Sequence, residues 1–330
     1  MNVTISRVGT PSPEEWDQAW AECPYATYFH SREWLEIWSQ NYLRCSPAPI
    51  FCELSTGVRV VFPLIKEIFF KGLASKYISS PAGTFGGWLA VRHLTSLEQA
   101  CVFDYVFRKY PNLHWRLNPY EPLAENIALS VVTKDETHSL DVSVGFDEIY
   151  RRWSQGNASA ARKVRKARKS GVTIRLAETA NDWAAYYQTY IDSYTRWGDK
   201  ASGFYDWQFF ETLFKKQSSN TKLWLALYQG DVIAGALCFY SQTNVVYWHG
   251  AALSSYFPLR PVNLLMYEAI RDAAENGYEW FDFNPSGGHE GVKHFKKSFG
   301  AEALSSNVIR RVSLPIKAFQ AFGSIIKCIF

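Results

Sequence analysis

Between residues 222 and 250 three strand-forming runs follow one another with almost nothing between them. They cover 222–228, 232–240 and 244–250, separated by Gln229-Gly230-Asp231 and Ser241-Gln242-Thr243. Connections this short leave only antiparallel neighbours, so the runs form a meander. A helix is expected over 261–276, with Pro261 in its first turn and Gly277 just past its end. A strand over 280–283 comes next. A meander, then a helix, then a strand reads as an α/β sheet whose neighbouring strands splay apart. Ligands lodge in such openings, near strand C-termini and helix N-termini. The expected cleft lies between 245–250 and 281–283, with the helix that starts at Pro261 aimed into it. The free N–H groups of that helix end suit a phosphate or an oxyanion, and Arg260 immediately before it offers a clamp.

The rest of the chain reads in the same α/β vocabulary. In the first half a strand at 3–7, helices at 13–22 and 31–42, and a hairpin of 49–54 with 58–65 around Ser55-Thr56-Gly57 are expected. A helix at 94–110, a strand at 113–117 and a second hairpin of 130–133 with 137–142 follow. The second half opens with helices at 144–153 and 159–170, the latter closed by Gly171, and a strand at 172–177. Helices at 181–197 and 207–216 precede the meander; a short helix at 292–299 and a strand near 308–312 follow it. The 330 residues suit two domains, read as 1–150 and 151–312, with the helix at 158–170 as their connection and a C-terminal helix at 313–330. Aromatic residues at 16% supply two large cores.

Net charge is +4, but its distribution matters more. Arg151, Arg152, Arg162, Lys163, Arg165, Lys166, Arg168 and Lys169 fall within 21 residues that carry no acid, whereas the remainder holds 27 basic and 31 acidic residues. Local positive charge argues for one anionic contact and against a wholly basic nucleic-acid binder. Ala160, Val164 and Ala167 form the apolar stripe of this helix, and its like charges repel one another. Arg162, Arg165 and Lys166 therefore read as phosphate-positioning groups for tRNA, a sugar-nucleotide diphosphate or anionic lipid. Six dispersed cysteines lack metal-ligand spacing and fit a reducing compartment, so no metal is expected. The opening ten residues are too polar for a signal peptide, and residues 316–330 are too short and charged to span a bilayer. A cytoplasmic location follows, with peripheral contact at the inner membrane face as the alternative.

Several side chains converge on the expected cleft. Lys296 supplies a cation able to stabilise a tetrahedral oxyanion by about 3 kcal/mol in a dry site. Lys293 lies one turn earlier. Asp282, at a strand end, reads either as the acceptor of an amine proton or as a cap for the following loop. His249 reads as a base or as a structural imidazole, and Tyr247, two residues before it, is expected on the same strand face. Tyr194 and Arg196 are assigned to an acceptor groove, where Gly287 and Gly288 permit close backbone approach. No Ser/His/Asp or Cys/His grouping points to a covalent intermediate, so direct attack is expected.

One ordered set of residues carries a family resemblance. It runs Arg162-x-x-Arg165-Lys166-Ala167-x-Lys169-x-Gly171-Val172, then Tyr190-x-x-Ser193-Tyr194-x-Arg196-x-Gly198, Leu225-Ala226, Gly230, Ile233-Ala234-Gly235 and Tyr247-Trp248. Asp282-Phe283-Asn284 and Gly291-Val292-x-x-Phe295-Lys296-x-x-x-Gly300 complete it. Residues 158–300 resemble FemAB-like proteins and the BioF2-like acetyltransferase domain of the GNAT superfamily. Phe29-His30-Ser31-x-x-Trp34 and Ser80-Pro81-x-Gly83-x-x-Gly86-Gly87 resemble the first lobe of that family. The resemblance implies two tandem GNAT-like lobes with mixed, largely antiparallel splayed sheets. It implies an N-acyltransferase that passes an acyl or aminoacyl group to an amine, with the Phe-Lys pair at the site. The donor is then acyl-CoA, an acyl carrier protein or aminoacyl-tRNA as co-substrate, with no tightly bound cofactor. The acceptor is an amine-bearing small molecule or cell-envelope precursor. A tRNA-dependent ligase of the peptidoglycan type and an inactive binding protein of the same fold are the alternatives. The usual GNAT donor loop is absent, its slot holding Ser254-Ser255-Tyr256-Phe257-Pro258-Leu259-Arg260-Pro261, and there is no room for a coiled-coil arm.

Overall fold

The computed structural model describes residues 2–69, 72, 74–124, 127, 132–155, 160–198 and 203–313. Residues up to Asp135 and from Ser305 onward form one compact unit, and Glu136–Leu304 form the other.

The first unit begins with β1 (Ile5–Gly9), α1 (Pro13–Glu22), α2 (Arg32–Asn41) and β2 (Cys45–Pro47). Ser12 caps α1 in a reciprocal box with Glu15, and Ser31 caps α2 through Trp34 N, which explains both helix starts. Next come β3 (Ile50–Leu54), β4 (Arg59–Phe62), β5 (Ile65–Phe69), β6 (Ala74–Ser79), α3 (Ser96–Lys109), β7 (Leu113–Arg116) and β8 (Val132–Thr133). A three-stranded antiparallel sheet is ordered β1-β3-β4. In the larger sheet β6 and β7 run parallel, and among the described residues the other neighbouring strands run antiparallel.

The second unit contains β9 (Glu136–Asp141), α4 (Phe146–Trp153), α5 (Ala160–Lys169), β10 (Thr173–Leu176), α6 (Ala180–Trp197) and α7 (Trp207–Lys216). The meander follows as β11 (Thr221–Tyr228), β12 (Asp231–Tyr240) and β13 (Asn244–Ala252), then α8 (Pro261–Glu275), β14 (Trp280–Asp282), α9 (Glu290–Lys297) and β15 (Glu302–Ser305). Its seven strands are ordered β10-β11-β12-β13-β14-β9-β15, mixed and largely antiparallel. The final strand, β16 (Val308–Arg311), belongs to the first unit, whose six-stranded sheet is ordered β2-β5-β6-β7-β16-β8.

The sheet of the second unit is covered on both faces. On one, Ala236, Cys238, Tyr240, Val245, Phe281 and Phe283 pack against Leu264, Leu265, Ala269 and Ile270 of α8. On the other, Leu223, Leu225, Phe239 and Trp248 meet the buried rings of α6 and α7. The small-residue stripe of α5 is fully buried at Ala160, Ala161, Val164 and Ala167 against α8. Gly171 adopts φ +84° beyond its C-terminus, a conformation that glycine holds without strain. Arg168 pairs with Glu268 of α8 at 3.0 Å and lies over the Tyr267 ring.

Four expectations are corrected here. The units divide at Asp135/Glu136 rather than at 150/151, because β9 pairs with β14 in the second sheet. The basic helix α5 therefore lies inside the second unit and is not its connection to the first. The hairpin expected from 130–133 and 137–142 does not form, since β8 and β9 belong to different sheets. The reading of 151–312 as one lobe fails at its end, because β16 pairs with β7 and β8. The C-terminal helix expected at 313–330 lies outside the described residues apart from Ser313. Among the described residues no helix is long and apolar enough to cross a membrane.

One close approach fixes how α6 docks. A Cβ at Gly235 of β12 would overlap the Tyr186 ring, itself fully buried. Gly235→Ala is expected to destabilise the protein by about 2 kcal/mol through overpacking, read as a lowered urea midpoint with an unchanged slope.

Candidate functional site

The site starts from two strands that pair briefly and then separate. β13 and β14 are parallel and in register at Asn244↔Trp280, Val245↔Phe281 and Val246↔Asp282. β14 stops there, while β13 runs on to Ala252. The opening therefore begins two pairs later than expected from sequence, because Val245↔Phe281 and Val246↔Asp282 are paired, and lies between 247–252 and the chain from Phe283 onward. Both sides contribute to the parting. On β13, Leu237 faces His249 but Cys238 faces Tyr247, so Trp248 is an extra residue and the strand is bulged. After β14, Asn284 takes φ +60° and its N–H donates to Asp282 Oδ1 at 2.6 Å, turning the chain away.

The bulge also redistributes side chains. Strict alternation put Tyr247 and His249 on one face; the extra residue puts them on opposite faces. Tyr247 packs on the α8 side, edge-on to Phe283, and a Cβ at Gly250 would overlap its hydroxyl. His249 lies on the α6 side, among Tyr186, Tyr190, Tyr205, Phe210 and Trp248 with ring centroids 4.7–6.0 Å away. Its Nδ1 is 2.6 Å from the Tyr186 hydroxyl. Burial pushes this imidazole down to about 3.

Lys296 is buried, with 3% of its surface exposed. Its ammonium donates to the backbone carbonyl of Asn284, at the point where the strands part. A buried ammonium is costly unless its donors are satisfied, so this placement is specific. Lys293, one turn earlier, bridges Glu136 at 3.2 Å and Glu290 at 3.1 Å.

Asp282 is fully buried and pairs in register with Val246. Its Oδ1 accepts from Thr137 Oγ1 at 2.6 Å as well as from Asn284 N. Those bonds give it the role of a loop cap. The other end of the opening is α8. Because β13 ends at Ala252 and α8 starts at Pro261, the helix N-terminus sits at the end of the sheet where the strands part. Arg260, its N-cap residue, is exposed with φ +62°, and Asn263 is buried with its Nδ2 unpartnered.

The remaining expected residues distribute as follows. Gly287 and Gly288, at φ +56° and +81°, shape an exposed turn after the opening. Arg162, Arg165 and Lys166 lie on the exposed face of α5. Tyr194 packs against Tyr190 and Phe204. Arg196 pairs with Asp192 at 2.7 Å and donates to the carbonyl of Ala252 at 3.3 Å, which ties α6 to the end of β13. Sequence reading missed His138 and Ser286. Both are buried; the two ring nitrogens of His138 and the Ser286 hydroxyl have no partner. The available signal was Thr137-His138-Ser139, a polar run inside a strand that carries no solvent face.

The His249 environment yields a test. Its folded value lies below that of an unfolded histidine, about 6.5. The neutral form thus contributes stability above that value, and the contribution is lost as pH falls from there toward about 3. Its ring C–H resonances are expected to stay fixed between about pH 8 and 5, and His249→Phe to lessen the acid loss of stability over that interval, read from urea midpoints.

Residues 156–297 match the family model described as an acetyltransferase (GNAT) domain. Among solved structures, FemX superposes with a TM-score of 0.71 at 12% identity, covering 95% of this chain and 99% of that one. The C-terminal domain of a putative lysylphosphatidylglycerol synthetase from Agrobacterium fabrum gives 0.57 at 10% identity, covering 96% and 98%. L-PGS from Bacillus licheniformis gives 0.57 at 13%, covering 93% and 95%. No curated protein matches the sequence. Residues 156–297 are thus similar to a GNAT-type acetyltransferase domain, and the fold of the chain is similar to that of FemX.

Proposed function

We propose that the second unit catalyses N-acyl transfer by direct attack of an amine on an activated ester or thioester. The observation that carries this reading is the buried Lys296 ammonium at the parting of β13 and β14. As the amine adds, an N–C bond forms and the carbonyl oxygen gains negative charge, which Lys296 stabilises. The C–S or C–O bond of the donor then breaks, and the amine proton leaves with the departing thiol or hydroxyl. Tyr247, packed on the α8 side of the sheet, is placed to line the path of the leaving group. Asp282 and His249 support the site and stay outside the proton transfer.

A phosphate-bearing donor fits the opening. The α8 N-terminus, exposed Arg260 and the unpartnered Asn263 amide supply anion-binding groups. Acyl-CoA places its diphosphate there; an aminoacyl-tRNA would extend further, and the basic face of α5, with Arg162, Arg165 and Lys166, suits its backbone. Tyr194 and Arg196 at one wall and Gly287 and Gly288 at the other frame the acceptor. An envelope precursor, presented at the inner membrane face, is the acceptor class that the lysylphosphatidylglycerol synthetase similarity supports.

Thermal shift with acyl-CoA and with a charged tRNA, each alone, identifies the donor, since only the bound one raises the melting temperature. With that donor and an amine acceptor, Lys296→Ala is expected to lower kcat by about 10²–10³-fold at unchanged circular dichroism. Full activity in a folded Lys296→Ala protein would refute the role of Lys296, and an inactive wild type with every donor would favour the binding protein.

A further inference from the structure

The first unit carries a cationic cavity that the proposed chemistry leaves unused. Its six-stranded sheet has two unlike faces. Trp115 and Arg311 turn toward α3, where Trp115 meets the Phe103 ring and Arg311 lies over Phe107. The other face follows from the register. Glu67 of β5 pairs with Lys76 of β6, Ile78 of β6 with His114 of β7, and His114 with Arg310 of β16. Residues two apart on a strand share a face, so Glu67, Lys76, His114 and Arg310 lie side by side across four neighbouring strands.

Two cavities open on this face. One, of about 660 Å³, is lined in part by Trp38 and Tyr42 of α2, Arg44, Glu67, Lys76 and His114. That volume suits a small ligand. The other, of about 290 Å³, is lined in part by Lys76, His114 and Arg310. The two adjoin at Lys76 and His114, which line both.

Charge here is unbalanced. Lys76 pairs with Glu67 at 2.8 Å. Arg44 and Arg310 are exposed and have no ion pair among the described residues. Arg310 stands directly opposite His114, and like charges so placed destabilise a sheet. His114 avoids that cost by staying neutral: burial, then Arg310, Lys76 and Arg116, push it down to about 4. A neutral imidazole still offers one N–H. An ammonium, an imidazole N–H and a guanidinium grouped in this way suit a phosphate, which the paired donors of arginine fit well. The larger cavity adds rings. Trp38 and Tyr42 lie 4.4 Å apart at an interplanar angle of 31°, a surface for the flat body of a ligand.

We propose that these adjoining cavities bind a soluble phosphate ester with a ring-shaped body, its phosphate between Lys76, His114 and Arg310 and its ring against Trp38 and Tyr42. The site lies wholly within the first unit and does not depend on the acyl-transfer reading. The probes are inorganic phosphate and phenyl phosphate, titrated at constant ionic strength into the full chain labelled with ¹³C at histidine Cε1. The His114 resonance is assigned through His114→Gln. Both probes are expected to move it, phenyl phosphate at the lower concentration. Arg310→Gln weakens both by about tenfold, the loss of one charge-assisted contact. Trp38→Leu weakens phenyl phosphate alone, and Tyr42→Leu serves where the tryptophan variant does not fold. Arg165→Gln and Arg260→Gln, which thin the other cationic surfaces, leave the His114 response unchanged. An unmoved His114 resonance at millimolar probe overturns the proposal, as does unaltered affinity in folded Arg310→Gln. Equal affinities of the wild type for the two probes overturn the placing of a ring against Trp38 and Tyr42. A response to phosphatidylglycerol vesicles without one to either probe overturns the soluble ligand in favour of a lipid surface.

Discussion

Three residue pairs hold β13 to β14, and the functional half of the chain is organised by where that pairing ends. Had β14 continued beyond Asp282, its backbone would have filled the space opposite Tyr247–Ala252. It ends because Asp282 accepts the N–H of Asn284 and turns the chain into a left-handed step. The bulge at Trp248 diverts the facing strand at almost the same level. Neither device suffices by itself: a turn after a straight β13 would leave a narrow slot, and a bulge beside a continuing β14 would be spanned by hydrogen bonds. Together they leave a wedge with a helix N-terminus at its mouth.

Charged and neutral groups surround this wedge: the Lys296 ammonium donates to Asn284 O, the Asp282 carboxylate accepts from Thr137 and Asn284, and His249 stays neutral amid rings. Charge that develops on a carbonyl oxygen where the strands part would meet the Lys296 cation. Low polarity around that cation magnifies its effect, since little water is available to screen it.

Much of this was legible in sequence, for physical reasons that differ by element. The meander and α8 declared themselves because turn residues, Pro261 and Gly277 are local signals, and α5 because its alanine stripe repeats with helical period. Lys296 was legible as a cation near a strand end. The face assignment of His249 was not, since an inserted residue shifts alternation and a bulge leaves no compositional mark when its residue is a tryptophan that suits either face. Asp282 stayed open between proton acceptor and loop cap because its bond to Thr137 depends on pairing between strands more than a hundred residues apart in sequence. The short strands β2, β5, β6 and β15 escaped notice because they are partly exposed and mix polar with apolar residues. The unit boundary was hidden for the same reason as Asp282, in long-range pairing.

The placement of β16 has a bearing on how the chain is made. It sits between β7 and β8 in the sheet of the first unit, with Val308 and Ile309 buried, yet it follows the whole of the second unit in sequence. During synthesis from the N-terminus, the earlier-made unit must wait with a missing central strand while Glu136–Leu304 emerges as an unbroken segment. The later-made unit can therefore finish folding first, and the first closes around a strand delivered only once its neighbour is complete.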